Sequence, residues 1–519
     1  VIYQIYPRSY LDTNGDGIGD LPGITRKLPY VAALGVEAVW ISPFFKSPMS
    51  DFGYDVSDYC DVDPIFGTLG DFDALLAEAH RLGLKVIIDQ VYAHTSDAHD
   101  WFAQSRGSRD NPYADWYVWR DPKPDGTPPN NWQSVFGGPA WTWDARRQQY
   151  YMHNFLSTQP QLNVHNRQVQ DALVAAAKFW LDKGVDGFRL DAINFAMFDP
   201  DFRDNPPWPA GSRTITRPFD LQHHIHNQSH PDIPVFMERI RELANGYGAI
   251  FTVAEVPGPD PLPEMRAFTA GDNRLSSAYS FDFLYANRLS PRRLKASQMN
   301  WAGPFSEGWP SWAFSNHDAP RCVSRWCPPG ADLAQFAKLT NALLLCLRGN
   351  PILYQGEELG LPQARVAFED LQDPEAIANW PRTLGRDGAR TPMPWTKGNT
   401  FAGFSESKPW LPVGQGHAEL AAAEQESDPG SVLNFTRAMV KLRAGSAALR
   451  LGEVDFPEIP DPLLALRRTL GGETVLCLFN LGTEDVAVPQ DLTAGAKPLI
   501  SSVPVAKTLP RHGVWIGRL

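Results

Sequence analysis

The chain has 519 residues, 43% of them apolar, and a formal net charge of −12. That length exceeds one ordinary domain and suits a large α/β body with smaller appendages. The negative charge argues against nucleic acid and anionic membrane as main partners, and the longest apolar runs, such as "NALLLCL" at 341–347, are too short to span a bilayer.

In chain order, "VIYQIYPRSY" reads as a strand, with neither the basic start nor the long apolar run of a secretion signal. The polar loop "LDTNGDGIGDLPG" (11–23) follows. It sets Asp12, Asn14, Asp16 and Asp20 on alternating positions, like the opening of a calcium loop. An EF-hand would carry a bidentate Glu where Gly23 stands, would follow a helix and would come in pairs, so a calcium sensor is disfavoured. Ile24, Leu28, Val31 and Leu34 then recur at helical spacing up to Gly35, and "VEAVWISPFF" is the next strand. A helix capped by Asp71 carries Leu75, Leu76, Ala79 and Leu82 and breaks at Gly83 before the strand "LKVIIDQVY". Strand, helix, strand with continuous apolar strands predicts a parallel sheet covered by helices.

Residues 95–165 are rich in Trp, Tyr, Pro, Asn and Gly and read as an inserted irregular domain. Alternation resumes with Val169, Leu173, Ala176 and Trp180 on one helix face, then the strands "GVDGFRLDA", "IFTVAEV", "AYSFDF", "SWAFSNHD" and "PILYQGEELG". Each ends in acidic or polar residues, as strands do at the catalytic mouth of a (β/α)8 barrel. From about 447 onward, short strands between turn signals predict an antiparallel β domain. The expected layout is a TIM barrel over 1–94 and 166–446, an insertion over 95–165 and a C-terminal β-sandwich domain over 447–519. Five scattered cysteines give no disulfide framework and fit a reducing cytoplasm, with the periplasm as the alternative. The histidine runs "HTSDAHD" and "HHIHNQSH" are weighed as metal clusters, and the second reads better as a solvated loop.

Acidic strand ends carry the chemistry: Asp89, Asp191, Glu255 and Asp318. One such carboxylate is most often a cap or an ion pair. Several converging on one mouth repel and shift one another, which points to function. The motifs "DQVYAH" (89–94), "QPQLN" (159–163), "GFRLDA" (187–192), "AEV" (254–256), "SNHD" (315–318), "YQGEELG" (354–360) and "GARTPMPW" (388–395) run nearly the whole chain. Together they resemble the α-amylase superfamily, glycoside hydrolase family 13, and within it the α-glucosidase and oligo-1,6-glucosidase branch.

That resemblance implies a retaining mechanism, with Asp191 as nucleophile, Glu255 as general acid/base and Asp318 as the third acid gripping sugar hydroxyls. Retention requires the two reacting carboxyls about 5–5.5 Å apart, and Glu255 holding a proton near neutral pH. Arg189 lies two residues before Asp191 on a strand, so both side chains share a face. His94 and His317 match histidines that hydrogen-bond the glucose. Asp51 and Tyr54 match the end wall of its pocket, Arg390 an arginine that pairs with the Asp51 position, and Phe155 an aromatic of the same subsite. The branch usually has Asn where Ala93 stands and Asp where Gln161 stands. The resemblance also places a structural cation, calcium with magnesium as the alternative, on Asp12, Asn14, Asp16, Asp20 and the Ile18 carbonyl. No organic cofactor is implied.

Ala192 follows the nucleophile. In this branch Val there goes with α-1,6 cleavage, and Ala, Gly or Thr with α-1,4 cleavage. The expectation is an exo-acting α-glucosidase on maltose-like substrates, with water or an alcohol as acceptor, in a monomer or homodimer. The long segment 199–230, which lacks a clear helix at its start, would crowd the mouth and limit substrate length. The alternatives are a sucrose-active glucosyltransferase or isomerase on the same scaffold, and a non-catalytic sugar-binding relative.

Overall fold

Eight short strands, β1 Ile2–Ile5, β2 Ala38–Ile41, β3 Lys85–Val91, β4 Gly187–Asp191, β5 Phe251–Val256, β6 Ser277–Ser280, β7 Ser311–Ala313 and β8 Asn350–Tyr354, organise the computed structural model. It describes residues 1–519 apart from 210, 212–214, 259, 384, 489, 505 and 506. The strands pair in the order β6-β5-β4-β3-β2-β1-β8-β7, so each lies beside its neighbour in sequence. A parallel bridge between Ala278 and Pro310 joins the two ends, which closes the expected barrel. Both faces of these strands are buried, hence their continuous apolar runs. On β5, Val253 faces an inner cluster with Ile2, Trp40, Ile87, Tyr279 and Ile352, while Ala254 and Val256 join the outer layer under the helices.

Those helices are α1 Leu21–Ala33, α2 Leu69–Arg81, α3 Arg167–Lys183, α4 Ile233–Asn245, α5 Pro261–Thr269, α6 Pro291–Met299, α7 Leu333–Cys346 and α8 Val432–Ala444. On α3, Trp180 is fully buried and packs against Phe44, Phe45 and Phe72 at ring-centroid distances of 5.6, 5.0 and 5.0 Å. The cap of α2 differs from expectation. Thr68 is the N-cap, and Asp71 closes the box from the third helical position by accepting the Thr68 amide at 2.8 Å. A Thr-x-x-Asp pattern supplies both halves of that exchange, so the acid alone misplaces the boundary.

Two small sheets escaped the sequence reading. Between β3 and α3, the strands Trp119–Arg120, Trp141–Asp144 and Gln149–Met152 form a three-stranded antiparallel sheet over Phe102, Tyr117 and Tyr151, beside a helix at Asp100–Gly107. After β2, Phe45–Lys46 pairs with Asp58–Val62, and the loop between them carries Asp51 and Tyr54. Strands of two to five residues are too short to show alternation. At the C-terminus, Glu453–Asp455, Leu463–Leu470, Glu473–Asn480, Val514–Arg518 and Lys497–Ser501 make a five-stranded antiparallel sheet. Arg468, fully buried, reaches from it to the Cys346 carbonyl at the end of α7. All five cysteines are free.

The loop after β1 is tightly built. Asp20 is the N-cap of α1, accepting the Gly23 amide at 2.6 Å. Asp12 accepts from the amides of Asn14, Gly15 and Gly17 and from the Ser405 hydroxyl. A Cβ at Gly23 would meet the Leu11 carbonyl oxygen at 2.0 Å, so the Glu of an EF-hand could not stand there. The remaining donors, Asn14, Asp16 and the Ile18 carbonyl, are oxygens, the chemistry of a calcium or magnesium site.

Buried histidines set an acid limit to stability. Burial pushes His94, His99, His153 and His417 down to about 4 and His317 to about 3. Between these values and the unfolded value of about 6.5, the unfolded chain binds more protons than the native one. Their contribution is therefore complete above about 6.5 and lost as pH falls. Asp89 and Glu264, pushed up by burial to about 6 and about 7, act the opposite way, as does Asp191, so they offset part of the histidine slope. Urea unfolding between pH 7 and 5 is expected to show stability falling as pH falls, the histidines outweighing the carboxyls; a flat profile, or stability rising as pH falls, would contradict this.

Candidate active site

Strand register brings the charged groups together. β3 and β4 set Asp89 opposite Arg189 and Val91 opposite Asp191, and β5 and β6 set Glu255 opposite Tyr279. Arg189 is fully buried. Its Nη1 donates to Asp89 and to Asp191, each at 2.6 Å, and its Nη2 lies 2.5 Å from Glu255 Oε1. Its Nε and Nη2 also donate to the Tyr279 hydroxyl, which in turn donates to Glu255 Oε1 at 2.9 Å. Below, Trp40 donates its indole N–H to Asp89 at 2.8 Å and lies 4.9 Å from the Arg189 guanidinium.

Three carboxylates thus share one guanidinium. Burial pushes the Asp191 carboxyl up; Arg189 opposes this, and the charges of Glu255, Asp89 and Asp318 add to it. A cluster of this kind retains a proton rather than carrying every charge. Glu255 Oε2 accepts the backbone amide of Ala192 at 3.0 Å. Ala192 itself has φ 36° and ψ 43°, in the left-handed region that non-glycine residues seldom adopt.

Above this floor lies a cavity of about 540 Å³, lined by Asp51, Tyr54, His94, Phe155, Asp191, Ala192, Glu255 and Asp318 among others. Arg189, His317 and Arg390 do not line it; they are buried behind it. The Tyr54 ring separates His317 from the cavity, stacking on it at 5.4 Å. The Tyr54 hydroxyl meets His317 Nε2 at 2.5 Å, and Gln4 holds Nδ1 at 2.7 Å. His94 is buried beside Phe155, and its Nδ1 has no hydrogen-bond partner. Asp318 sits in the loop beyond β7, whose last residue is Ala313, with its amide held by Asn316.

One pairing is corrected. Arg386, not Arg390, grips Asp51, at 2.8 Å, and is itself braced by Asp373 at 2.8 Å. Arg390 turns to Asp318 at 2.7 Å and to the His317 carbonyl at 2.6 Å. The two arginines are four residues apart around the short 3-10 helix Asp387–Ala389, so only Arg386 reaches Asp51, while Arg390 is the closer partner of Asp318. Burial opposes charge on Asp318, yet His317, Arg390, Arg386 and Arg189 hold its carboxyl well below the ordinary range. Sequence reasoning missed Arg386, Asp373 and Tyr279, and saw Asp89 only as a strand end; "GRDGARTP" holds both arginines, but spacing does not say which acid each reaches.

The departures at Ala93 and Gln161 meet at the same wall. Gln161 donates to the Phe195 carbonyl at 2.8 Å, and Ala93 packs with Ala192 and Phe195. The far wall comes from segment 199–230, part of which lies outside the described residues; Trp208, Arg217, Phe219, Gln222, His224 and Gln228 of that segment line the cavity. Arg217 bridges to Glu375 across it at 2.5 Å. His224 is buried and stacks on Phe219 at 3.6 Å, so the run "HHIHNQSH" is not simply a solvated loop.

The α-amylase catalytic-domain family matches residues 4–452. The chain belongs to the α-amylase family, glycoside hydrolase family 13. A probable α-glucosidase of Rhizobium meliloti (strain 1021) is 53% identical over 490 residues, covering 93% of this chain and 89% of the relative. An oligo-1,6-glucosidase of Parageobacillus thermoglucosidasius is 36% identical over 540 residues, covering 97% and 93%. Among solved structures, the α-glucosyl transfer enzyme XgtA superposes with a TM-score of 0.94 at 49% identity, covering 100% of this chain and 98% of its own. Trehalulose synthase MutB superposes at 0.90 and 33%, covering 100% and 99%. This α-amylase family member is thus a glycoside hydrolase of the α-glucosidase and oligo-1,6-glucosidase group.

Breaking a buried ion pair leaves a lone charge, at a cost of about 3–5 kcal/mol. In this hydrolase Arg386→Gln strands Asp51 in the cavity wall. Steady-state kinetics on an α-glucoside should show kcat/KM reduced by about 100-fold or more, with KM raised. A change under threefold would remove Asp51–Arg386 from the substrate wall.

Proposed function

We propose that this enzyme is a retaining, exo-acting α-glucosidase that prefers α-1,4 links in short substrates such as maltose and also transfers glucose to alcohols. The observation that carries this reading is Arg189, whose two terminal nitrogens hold Asp191 and Glu255 side by side at the floor of one cavity. That span suits direct attack by a carboxylate, whereas inversion needs about 6.5–9.5 Å for an intervening water. Asp51, Arg386 and Tyr54 in the cavity wall support exo action on a terminal glucose.

In this reading the Asp191 carboxylate attacks the anomeric carbon as the glycosidic C–O bond breaks. Glu255 delivers its proton to the leaving oxygen. The β-glucosyl ester on Asp191 is then attacked by water, whose proton returns to Glu255, releasing glucose with its α configuration retained. An alcohol in place of water gives a new α-glucoside, so transfer needs no further machinery. Asp318, held ionised by two arginines, favours the positive charge developing on the ring. His94, neutral at physiological pH, offers a hydrogen-bonding group to sugar hydroxyls.

The small side chain of Ala192 on the cavity wall supports the α-1,4 preference, and the aromatic wall from 199–230 supports a limit on length. We also infer a structural cation in the loop 11–23, on Asp12, Asn14, Asp16, Asp20 and the Ile18 carbonyl, and a reducing cytoplasmic setting supported by the free cysteines. Sucrose-active transfer or isomerisation is the second reading, favoured by the likeness to MutB.

A time course on maltose, isomaltose, sucrose and starch, with products and anomers resolved by NMR, should show α-glucose released fastest from maltose and little action on starch. Asp191→Asn should abolish turnover. First-formed β-glucose would overturn retention, and isomerised sucrose as the main product would favour the second reading. Ala192→Val should raise the isomaltose-to-maltose ratio of kcat/KM; a ratio is insensitive to the fraction of enzyme lost through strain at the positive φ. For the cation, chelation should lower the melting temperature while sparing activity at low temperature. Loss of activity at unchanged stability would contradict a structural role.

A further inference from the structure

The last histidine of "HHIHNQSH" does something the reaction does not use. His230 stands at the end of the mouth segment, just before α4, and its ring meets that of His165, just before α3, edge to face at 4.8 Å. One ligand atom each from His165, His230 and Asp232 lies within 4.8 Å of the others. Among the described residues this is the one group of three His, Cys, Asp or Glu side chains so placed.

We propose that His165, His230 and Asp232 form a binding site for a borderline divalent transition-metal ion, Zn2+ before others, that ties the end of the mouth segment to the exit of the inserted domain. Two imidazoles and a carboxylate are the donor set of such ions rather than of calcium. His165 Nε2 lies 2.8 Å from the Phe198 carbonyl. A carbonyl only accepts, so Nε2 carries the proton and Nδ1 is left with a free lone pair. Metal-binding histidines are oriented by this kind of outer hydrogen bond. On the other side, His230 Nδ1 is 3.8 Å from Asp232 Oδ2. Bonds of about 2.0–2.2 Å in a tetrahedral site put ligand atoms roughly 3.3–3.6 Å apart. The group therefore needs to contract by little more than a bond's stretch of side-chain rotation. His230 Nδ1 would give up a long 3.3 Å bond from the Asp232 amide. The Asp232 side chain is 65% exposed, which leaves the fourth position to water. Asp199, paired with His226 and Arg203, adds negative charge nearby.

The position matters because Gln228, two residues upstream of His230, lines the cavity, and the Ser229 amide donates to Asn194 at 2.6 Å. An ion here fixes the base of the outer wall from outside the cavity.

The test is calorimetric titration of the full chain with Zn2+ in saturating Ca2+, so that loop 11–23 does not compete. One equivalent per chain is expected, with a rise in melting temperature, and Co2+ in its place should give the visible absorption of a tetrahedral site. His165→Gln/His230→Gln should weaken binding by about 100-fold or more and remove the Co2+ spectrum, and Asp232→Asn should weaken it about 10-fold. Metal-free turnover of maltose by the double variant should stay within twofold of the parent, which shows that it folds. No binding at millimolar Zn2+, or equal binding by parent and double variant, overturns the site.

Discussion

A single buried guanidinium carries the arrangement. Arg189 stands inside a barrel whose inner layer is apolar, and an unpaired charge there would be prohibitively costly. Asp89, Asp191 and Glu255 meet it directly, Tyr279 shares its hydrogen bonds, and Trp40 covers its face. The geometry of the reacting acids follows from this requirement. β3, β4 and β5 must be in the register they have, because a shift of one residue would turn Asp89, Arg189 or Glu255 to the helix-covered side. The closeness of Asp191 and Glu255 is thus a by-product of neutralising one arginine.

The same constraint divides the site into two electrostatic zones. At the floor, three carboxylates against one guanidinium leave the cluster short of positive charge, so it holds a proton. At the rim, Asp318 and Asp51 face Arg390 and Arg386, and positive charge suffices to keep Asp318 ionised. In the proposed mechanism, acid–base chemistry and substrate grip are thereby separated by the count of arginines on each side. The oriented Tyr54 and His317 rings lie between the two zones.

Much of this was legible from the chain. Eight strands, three of the helices, the acids at the strand ends and the β domain after 447 follow from apolar runs, helical period, punctuation and motif order. The elements that stayed hidden are the small antiparallel sheets. The hairpin that presents Asp51 and Tyr54 and the sheet built on Trp119, Trp141 and Tyr151 are held by tertiary contacts rather than by local pattern. Partner choice was hidden too. Arg386 and Arg390 are interchangeable on the page of sequence, and only the turn between them sends one to Asp51 and the other to Asp318. His230 was unreadable for the same reason: its neighbour His165 is 65 positions away in the chain.

The peptide group of Ala192 has a further consequence. Its side chain forms part of the cavity wall, and its N–H holds one oxygen of Glu255. Selection for a different leaving group acts on the side chain, but the backbone must keep its left-handed turn to stay in reach of the acid. A change at this position therefore passes through a mechanical linkage to Glu255, the proton donor of the proposed mechanism. Lineages that alter the aglycone they accept would be expected to carry compensating changes around Ala93, Gln161 and Phe195, the packing that holds this turn in place.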